Sequence, residues 1–272
     1  MPKILKGLSA IEFLNPEDKE GLNKLDAVPG LKSFLAETVS NIREKFITID
    51  MLGDGLSITA DSYPELHKLL TNTAATLDVE NIPDFSMIWS YEISLGTEGV
   101  SRPRISALSG AVDILSDKEL TFLLGHELGH LAAGHKPYHN LLITFYTPIM
   151  KMIPNAEVWL ALLRPMLLKW FRLSDFTADR AGLLACQDID VAIKAMIKMA
   201  GAPLKYHDKI NTEAFLRQAK RFEQNNRGFA DNIIQNLSIN TACAPWLVVR
   251  AAKLYEWYKS GEYDELINKY SI

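Results

Sequence analysis

Apolar residues recur at helical spacing over residues 31–45 and 61–77. In the second stretch Ser62-Tyr-Pro places a proline where a helix tolerates it, in the first turn. Between the two, Phe46-Ile-Thr-Ile reads as a short extended run and Leu52-Gly-Asp-Gly as a turn. Residues 85–95 and 104–108 have β character, with Gly96-Thr-Glu-Gly as a hairpin or loop signal between them. Beyond Val112-Asp-Ile-Leu the period becomes helical and stays so. Helices are predicted over 117–134, 156–171, 173–186, 188–200, 211–225, 229–237, 245–259 and 261–268. Gly201 and Gly261 stand where C-terminal caps belong. This pattern predicts an α+β fold, mostly helical, with a small β-sheet ahead of the helix that begins near residue 117. Neither a repeat nor a long linker divides the chain. Residues 1–272 therefore read as a single domain, with 1–50 as an N-terminal helical extension that acts as a lid, a docking element or extra packing.

Composition narrows the function classes. The chain has 272 residues, 48% hydrophobic and 23% charged, which excludes a disordered or low-complexity protein. A net charge of −4 leaves no electrostatic footprint for nucleic acid. Two cysteines, Cys186 and Cys243, provide neither a disulfide framework nor a thiolate metal site, and both read as buried reduced thiols. Lys6 and Glu12 interrupt the apolar residues of the first 14 positions, so no signal peptide is expected and a cytoplasmic location is. The most apolar region is 141–172. Its prolines, together with Lys151, Glu157, Arg164 and Lys169, interrupt it too often for a spanning helix of about 20 residues. A buried helical hairpin is expected there, with contact to a membrane surface or a partner as the alternative.

The chemistry is concentrated in Gly125-His126-Glu127-Leu128-Gly129-His130, an HExxH motif. Two histidines four apart share a helical face and can reach one metal ion. The intervening glutamate stands beside that metal as a general base for water. In a chain with 6 histidines, chance produces the pattern roughly 0.01 times. Ser116-Asp-Lys-Glu119 is a capping box that starts the helix just upstream. Leu120, Leu124, Leu128 and Leu131 form its apolar stripe, and His126 and His130 lie off that stripe, expected to face a cleft.

A zinc peptidase needs a third protein ligand. The metzincin solution fails, because Ala133 and Lys136 stand where its glycine and third histidine belong. Leu173-Ser-Asp-Phe-Thr-Ala-Asp-Arg-Ala-Gly182 offers a carboxylate instead. Asp175 and Asp179 are four apart, so Asp175 can bind the metal while Asp179 accepts a ring N–H from a ligand histidine and sets its tautomer. The competing readings are a helix N-terminal carboxylate for Asp175 and a surface pair with Arg180 or Arg172 for Asp179.

With these residues in place, the sequence resembles the gluzincin peptidases that include the CAAX prenyl endopeptidases and HtpX-type proteases, in particular compact members without spanning helices. The resemblance covers about residues 56–260. It is carried by Arg102-Pro-Arg-Ile through Leu115-Ser-Asp-Lys-Glu-Leu, by Leu124 to His135, by Ser174 to Leu184, and by Ala244-Pro-Trp-Leu-Val-Val-Arg-Ala-Ala. It implies a zincin-like metallopeptidase fold, one Zn2+ per chain held by His126, His130 and Asp175, and a peptide or protein substrate cut with Glu127 as base. It also implies a strand edge at Arg104, Ile105 and Ser106 that pairs with extended peptide. Arg250 matches the family's arginine and either supports the site or pairs with an acidic residue. His135 matches the family's Gly-His and is read as a helix-terminus or packing residue. His67, His139 and His207 are read as surface or core residues. Two departures stand out: the third ligand is aspartate where the family has glutamate, and Ala244-Pro245 replaces His-Pro. These support an alternative, a zinc-binding but catalytically silent interaction or scaffold protein that docks on a membrane or partner through 141–172. The sequence leaves the oligomeric state open.

Overall fold

The computed structural model describes residues 2–35, 45, 49, 53–147, 151, 155–225 and 246–272. Most of the helix predicted at 31–45, the extended run at 46–48, the helix at 229–237 and Ala244-Pro245 lie outside the described residues.

The chain begins with α1 (Ala10–Phe13), α2 (Pro16–Asp26) and α3 (Leu31–Phe34). Asn15 caps α2, its side chain accepting from the Glu17 N–H, and Pro16 fills the first helical position. Next come β1 (Leu56–Ser57), α4 (Pro64–Thr76), β2 (Asp84–Ile88), β3 (Leu95–Glu98) and β4 (Arg104–Leu108). Helices follow to the C-terminus: α5 (Ser109–Ile114), α6 (Asp117–Ala132), α7 (Lys136–Phe145), α8 (Ala156–Cys186), α9 (Ile189–Met199), a 3-10 turn (Leu204–Lys209), α10 (Thr212–Asn225), α11 (Leu247–Ser260) and α12 (Glu262–Tyr270). The mostly helical α+β expectation is met. Gly201 and Gly261 both adopt positive φ, at 102° and 92°, as expected of residues ending helices.

The β-rich region differs from its sequence pattern. The run 85–95 is two strands, and the expected loop at Gly96 belongs to the second. Ser90 and Ser109 break the run: Ser90 N–H donates to the Ser109 hydroxyl at 3.0 Å, and that hydroxyl donates back to the Ser90 carbonyl at 2.9 Å. This pulls the chain out of register before it re-enters the sheet at Leu95. The sheet order is β1-β2-β4-β3. The β2–β4 pair is parallel, while β1–β2 and β3–β4 are antiparallel.

The two helices predicted at 156–171 and 173–186 are one helix of 31 residues, with Pro165 inside it. Its halves serve different cores, which shifts the apolar stripe and mimics a break. The first half buries Leu163, Leu167 and Trp170 with Leu25, Leu31, Leu141 and Leu142. The second half buries Leu183 and Leu184 with Phe85, Ile105, Phe122, Leu124 and Leu128. Each fully buried leucine contributes about 1.5–3 kcal/mol. The described parts of 141–172 thus belong to α7 and the first half of α8, each buried along one face only, with Ile143, Tyr146, Val158 and Leu162 exposed. Among the described residues no helix is long and apolar enough to cross a membrane.

α6 and α8 cross in very close contact, and glycine makes this possible. A Cβ on Gly125 would lie 2.4 Å from the Ala185 Cβ, one on Gly129 2.5 Å from the Ala181 Cβ, and one on Gly182 2.7 Å from the Phe122 carbonyl oxygen. At the start of α6 the expected capping box is formed, with Ser116 N–H donating to Glu119 Oε2 at 2.8 Å. Lys198 of α9 adds an ion pair to the same oxygen at 2.6 Å.

Candidate metal centre

The close α6–α8 crossing brings two carboxylates of α8 against the two histidines of α6. The Nε2 atoms of His126 and His130 lie 3.1 Å apart, and His130 Nε2 lies 3.4 Å from Asp175 Oδ1. The donor atoms of His126, His130 and Asp175 all fall within 4.8 Å of one another. Tetrahedral zinc with bonds of about 2.0–2.1 Å holds its ligand atoms about 3.3 Å apart, so the spacing fits such an ion. Asp175 sits in mid-helix and is buried. It is therefore no N-terminal cap, contrary to its competing reading. Burial raises its carboxyl above the ordinary value against the pull of Arg250, whose guanidinium stands 4.0 Å away. A carboxylate desolvated in this way is one that a bound cation stabilises.

Asp179 pairs with neither Arg180 nor Arg172. Its Oδ1 accepts from His126 Nδ1 at 2.9 Å, and both its oxygens are held by Arg250 of α11, at 2.6 Å from Nη2 and 2.9 Å from Nε. Burial opposes the charge, but Arg250 and His126 outweigh it and hold the carboxyl below its ordinary value. An ionised carboxylate only accepts, so the His126 proton sits on Nδ1 and its Nε2 presents a lone pair toward His130 and Asp175. Arg250 is thus a supporting residue of the site and also an ion-pair partner.

Glu127 points its carboxylate away from the leucine stripe. Its Oε2 accepts from Thr97 Oγ1 of β3 at 2.7 Å and from Lys136 Nζ of α7 at 3.3 Å. Burial alone would raise this carboxyl; Lys136, His126 and the Thr97 hydrogen bond outweigh it and hold it below the usual carboxylate value. Thr97 and Lys136 carry no motif signal, and only folding reveals them.

A second set of buried groups lies behind His130. His130 Nδ1 stands 2.8 Å from His135 Nδ1, and His139 Nε2 donates to Ser174 Oγ at 2.9 Å, because that hydroxyl's own proton goes to the Phe171 carbonyl. His135 stands at the N-cap position of α7, with no side-chain cap hydrogen bond. His139 is a core residue four positions on, and the i,i+4 spacing with His135 was the available sign that the two share a face. Burial, then Lys136, holds both His130 and His139 well below the ordinary histidine value, so both are neutral imidazoles.

Two expectations need correction. The histidines do not line an open cleft: His126, Glu127 and His130 are 9%, 6% and 3% exposed, because α8 covers the histidine face as closely as the core covers the leucine face. Arg104, Ile105 and Ser106 are not a free edge either. They lie in β4, whose two sides pair with β2 and β3. The edge strand beside the HExxH helix is β3, which supplies Thr97. The sequence missed this because hydrogen-bond order in a sheet with a parallel crossover is not written in any local pattern.

The chain matches Peptidase family M48 over residues 64–258. It is 28% identical over 270 residues to "Plastoglobule-localized metallopeptidase 48, chloroplastic" of Arabidopsis thaliana, an alignment covering 98% of this chain and 78% of that relative. No solved structure matches it significantly. The HExxH helix, the carboxylates from α8 and this family match agree, and the chain belongs to Peptidase family M48, the gluzincin metallopeptidases.

Proposed function

We propose that this protein is a zinc endopeptidase of the gluzincin type, with one Zn2+ held by His126 Nε2, His130 Nε2 and a carboxylate oxygen of Asp175, akin to the CAAX and HtpX-type enzymes. The observation that carries the reading is the convergence within 4.8 Å of these three donor atoms, two from α6 and one from α8, beside Glu127, which α6 also carries. Bound there, zinc supplies Lewis acidity toward a peptide carbonyl and an attacking water. Glu127 takes the proton of that water and passes it to the leaving amine. Thr97 and Lys136 hold the Glu127 carboxylate ionised and oriented before substrate arrives. An extended peptide is read as an added strand on β3, replacing the β4 edge expected from sequence.

The whole chain, 1–272, is read as one metallopeptidase domain. A cytoplasmic location with peripheral membrane contact is supported by the two-cysteine composition and by exposed Tyr146, Val158 and Leu162 around the 141–172 region. The name of the Arabidopsis relative places that protein at plastoglobules.

Glu127→Gln tests the reading. Elemental analysis should find one zinc per chain in both wild type and variant. Wild type should cleave an unstructured protein such as casein, and the variant should cleave it at least 100-fold more slowly. Equal cleavage by both overturns the mechanism. Zinc without cleavage in either would favour the silent scaffold.

A further inference from the structure

The N-terminal segment reaches the metal centre from behind. Asp18 of α2 is fully buried, although residues 1–50 precede the stretch that matches the family. Its Oδ1 accepts from Trp170 Nε1 at 2.8 Å, and its Oδ2 accepts from the Thr177 hydroxyl. That same Oδ2 lies 3.0 Å from His135 Nε2, close enough for charge attraction but not aligned as a full hydrogen bond, which leaves His135 Nε2 otherwise without a partner. α2 is seated to put Asp18 there. Gly21 lets Trp170 pack onto the helix, since a Cβ at that position would stand 2.6 Å from the Trp170 ring, and Asn15 N–H donates to Thr177 Oγ1 at 3.0 Å.

We infer that Asp18 is a positioning residue for the metal centre, acting through a buried Asp18–His135–His130 relay that orients His130 Nε2 toward the metal. A carboxylate that already accepts from Trp170 and Thr177 can only attract a proton on His135 Nε2. The remaining His135 nitrogen, Nδ1, is then an acceptor, and the atom 2.8 Å from it, His130 Nδ1, must donate. With its proton on Nδ1, His130 turns a lone pair on Nε2 toward His126 and Asp175. His126 receives the same treatment directly from Asp179. The two ligand histidines are therefore set by two different carboxylates, one on α8 and one from the N-terminal extension. Within that extension, α2 is part of the site's framework instead of a lid.

The inference rests on the metal reading above, but its first readout is independent of metal. Long-range 1H–15N correlation spectra of the metal-free protein should show His130 protonated on Nδ1. In Asp18→Asn the new amide donates to His135 Nε2, which moves the His135 proton to Nδ1 and drives the His130 proton to Nε2. Zinc affinity, measured by competition with a chromogenic chelator, should then fall 10–100-fold. Glu20→Gln removes an exposed carboxylate of the same helix, one that pairs with Lys24 and not with the relay, and should change neither readout. His135→Phe keeps the packing against Trp170 but removes the acceptor. It should weaken zinc as much as Asp18→Asn, and the double variant should be no weaker than either single one. The relay is overturned if wild-type His130 carries its proton on Nε2, if Asp18→Asn keeps the Nδ1 proton and wild-type affinity, if Glu20→Gln matches Asp18→Asn, or if the two single losses add.

Discussion

Arg250 grips Asp179 on both carboxylate oxygens, at 2.6 and 2.9 Å, and both side chains are buried. The pair joins α11 to α8 and, through His126 Nδ1, to the HExxH helix. Arg250→Met would leave a buried carboxylate without its cation. That should cost about 3–5 kcal/mol, seen as a lower urea midpoint at unchanged slope. Adding Asp179→Asn to Arg250→Met should recover most of the loss, because no uncompensated charge remains. No recovery would show that the arginine acts through packing and not through the pair.

Asp175→Ala removes the only α8 donor atom of the proposed metal set while leaving the Asp179–Arg250 pair intact. Metal content by elemental analysis should drop from one zinc per chain to well below half, with the far-ultraviolet circular dichroism of the metal-free protein unchanged. Retention of full stoichiometry would remove Asp175 from the ligand set.

The Thr97 hydroxyl is among the groups that hold the Glu127 carboxyl low. Thr97→Val takes that donor away, so the Glu127 value rises while Lys136 and His126 still hold it. A base works only when deprotonated. The acid limb of the kcat/KM profile should therefore move to higher pH, with zinc content unaltered. A limb that stays put or moves to lower pH contradicts the assignment of Glu127 as the titrating base.

Neutral buried histidines make the metal-free fold sensitive to acid. His130 and His139 take up a proton in the unfolded chain near the ordinary value of 6.5, but resist it in the folded state through burial and Lys136. Above that value both states are unprotonated and the two groups add nothing to the pH dependence. Below it the unfolded chain binds more protons, so stability falls as pH falls, by up to about 1.4 kcal/mol per pH unit for each histidine. Urea unfolding of metal-free protein at pH 7, 6 and 5 checks this, and a flat profile would refute it.

Gly129→Ala places a methyl against Ala181 in the α6–α8 crossing. The helices must part or the backbone shift, at about 1–3 kcal/mol. Because the crossing sets the spacing between His130 and Asp175, zinc affinity should fall together with the thermal midpoint. A drop in midpoint with affinity unchanged would separate the crossing from the site.

Much of the site was legible in the chain. His126, Glu127 and His130 share one helical turn, so their juxtaposition follows from helix geometry. Asp175 and Asp179 were found because their four-residue spacing is also local. The capping box at Ser116 and the glycine caps at 201 and 261 were legible for the same reason. Thr97, Lys136 and Asp18 were not. Each reaches its partner from another element, 30, 9 and 117 positions away in the chain from Glu127, Glu127 and His135 respectively. The Trp89–Ser94 break and the continuity of α8 were misread because their causes, a serine pair across the fold and two separate cores, lie outside any sequence window.

By itself the sequence determined the helix that carries the chemistry, the residue types able to hold a metal, and the mostly helical α+β class. All three follow from short-range periodicity and from side-chain donor chemistry. Only the tertiary structure decided that β4 is interior and β3 the edge, that Asp179 belongs to Arg250, and that the N-terminal helix places a carboxylate behind His130. These depend on which surfaces meet when apolar faces are buried. In this protein that meeting is controlled by small residues at the α6–α8 and α2–α8 contacts, whose role shows only once a second helix lies against them.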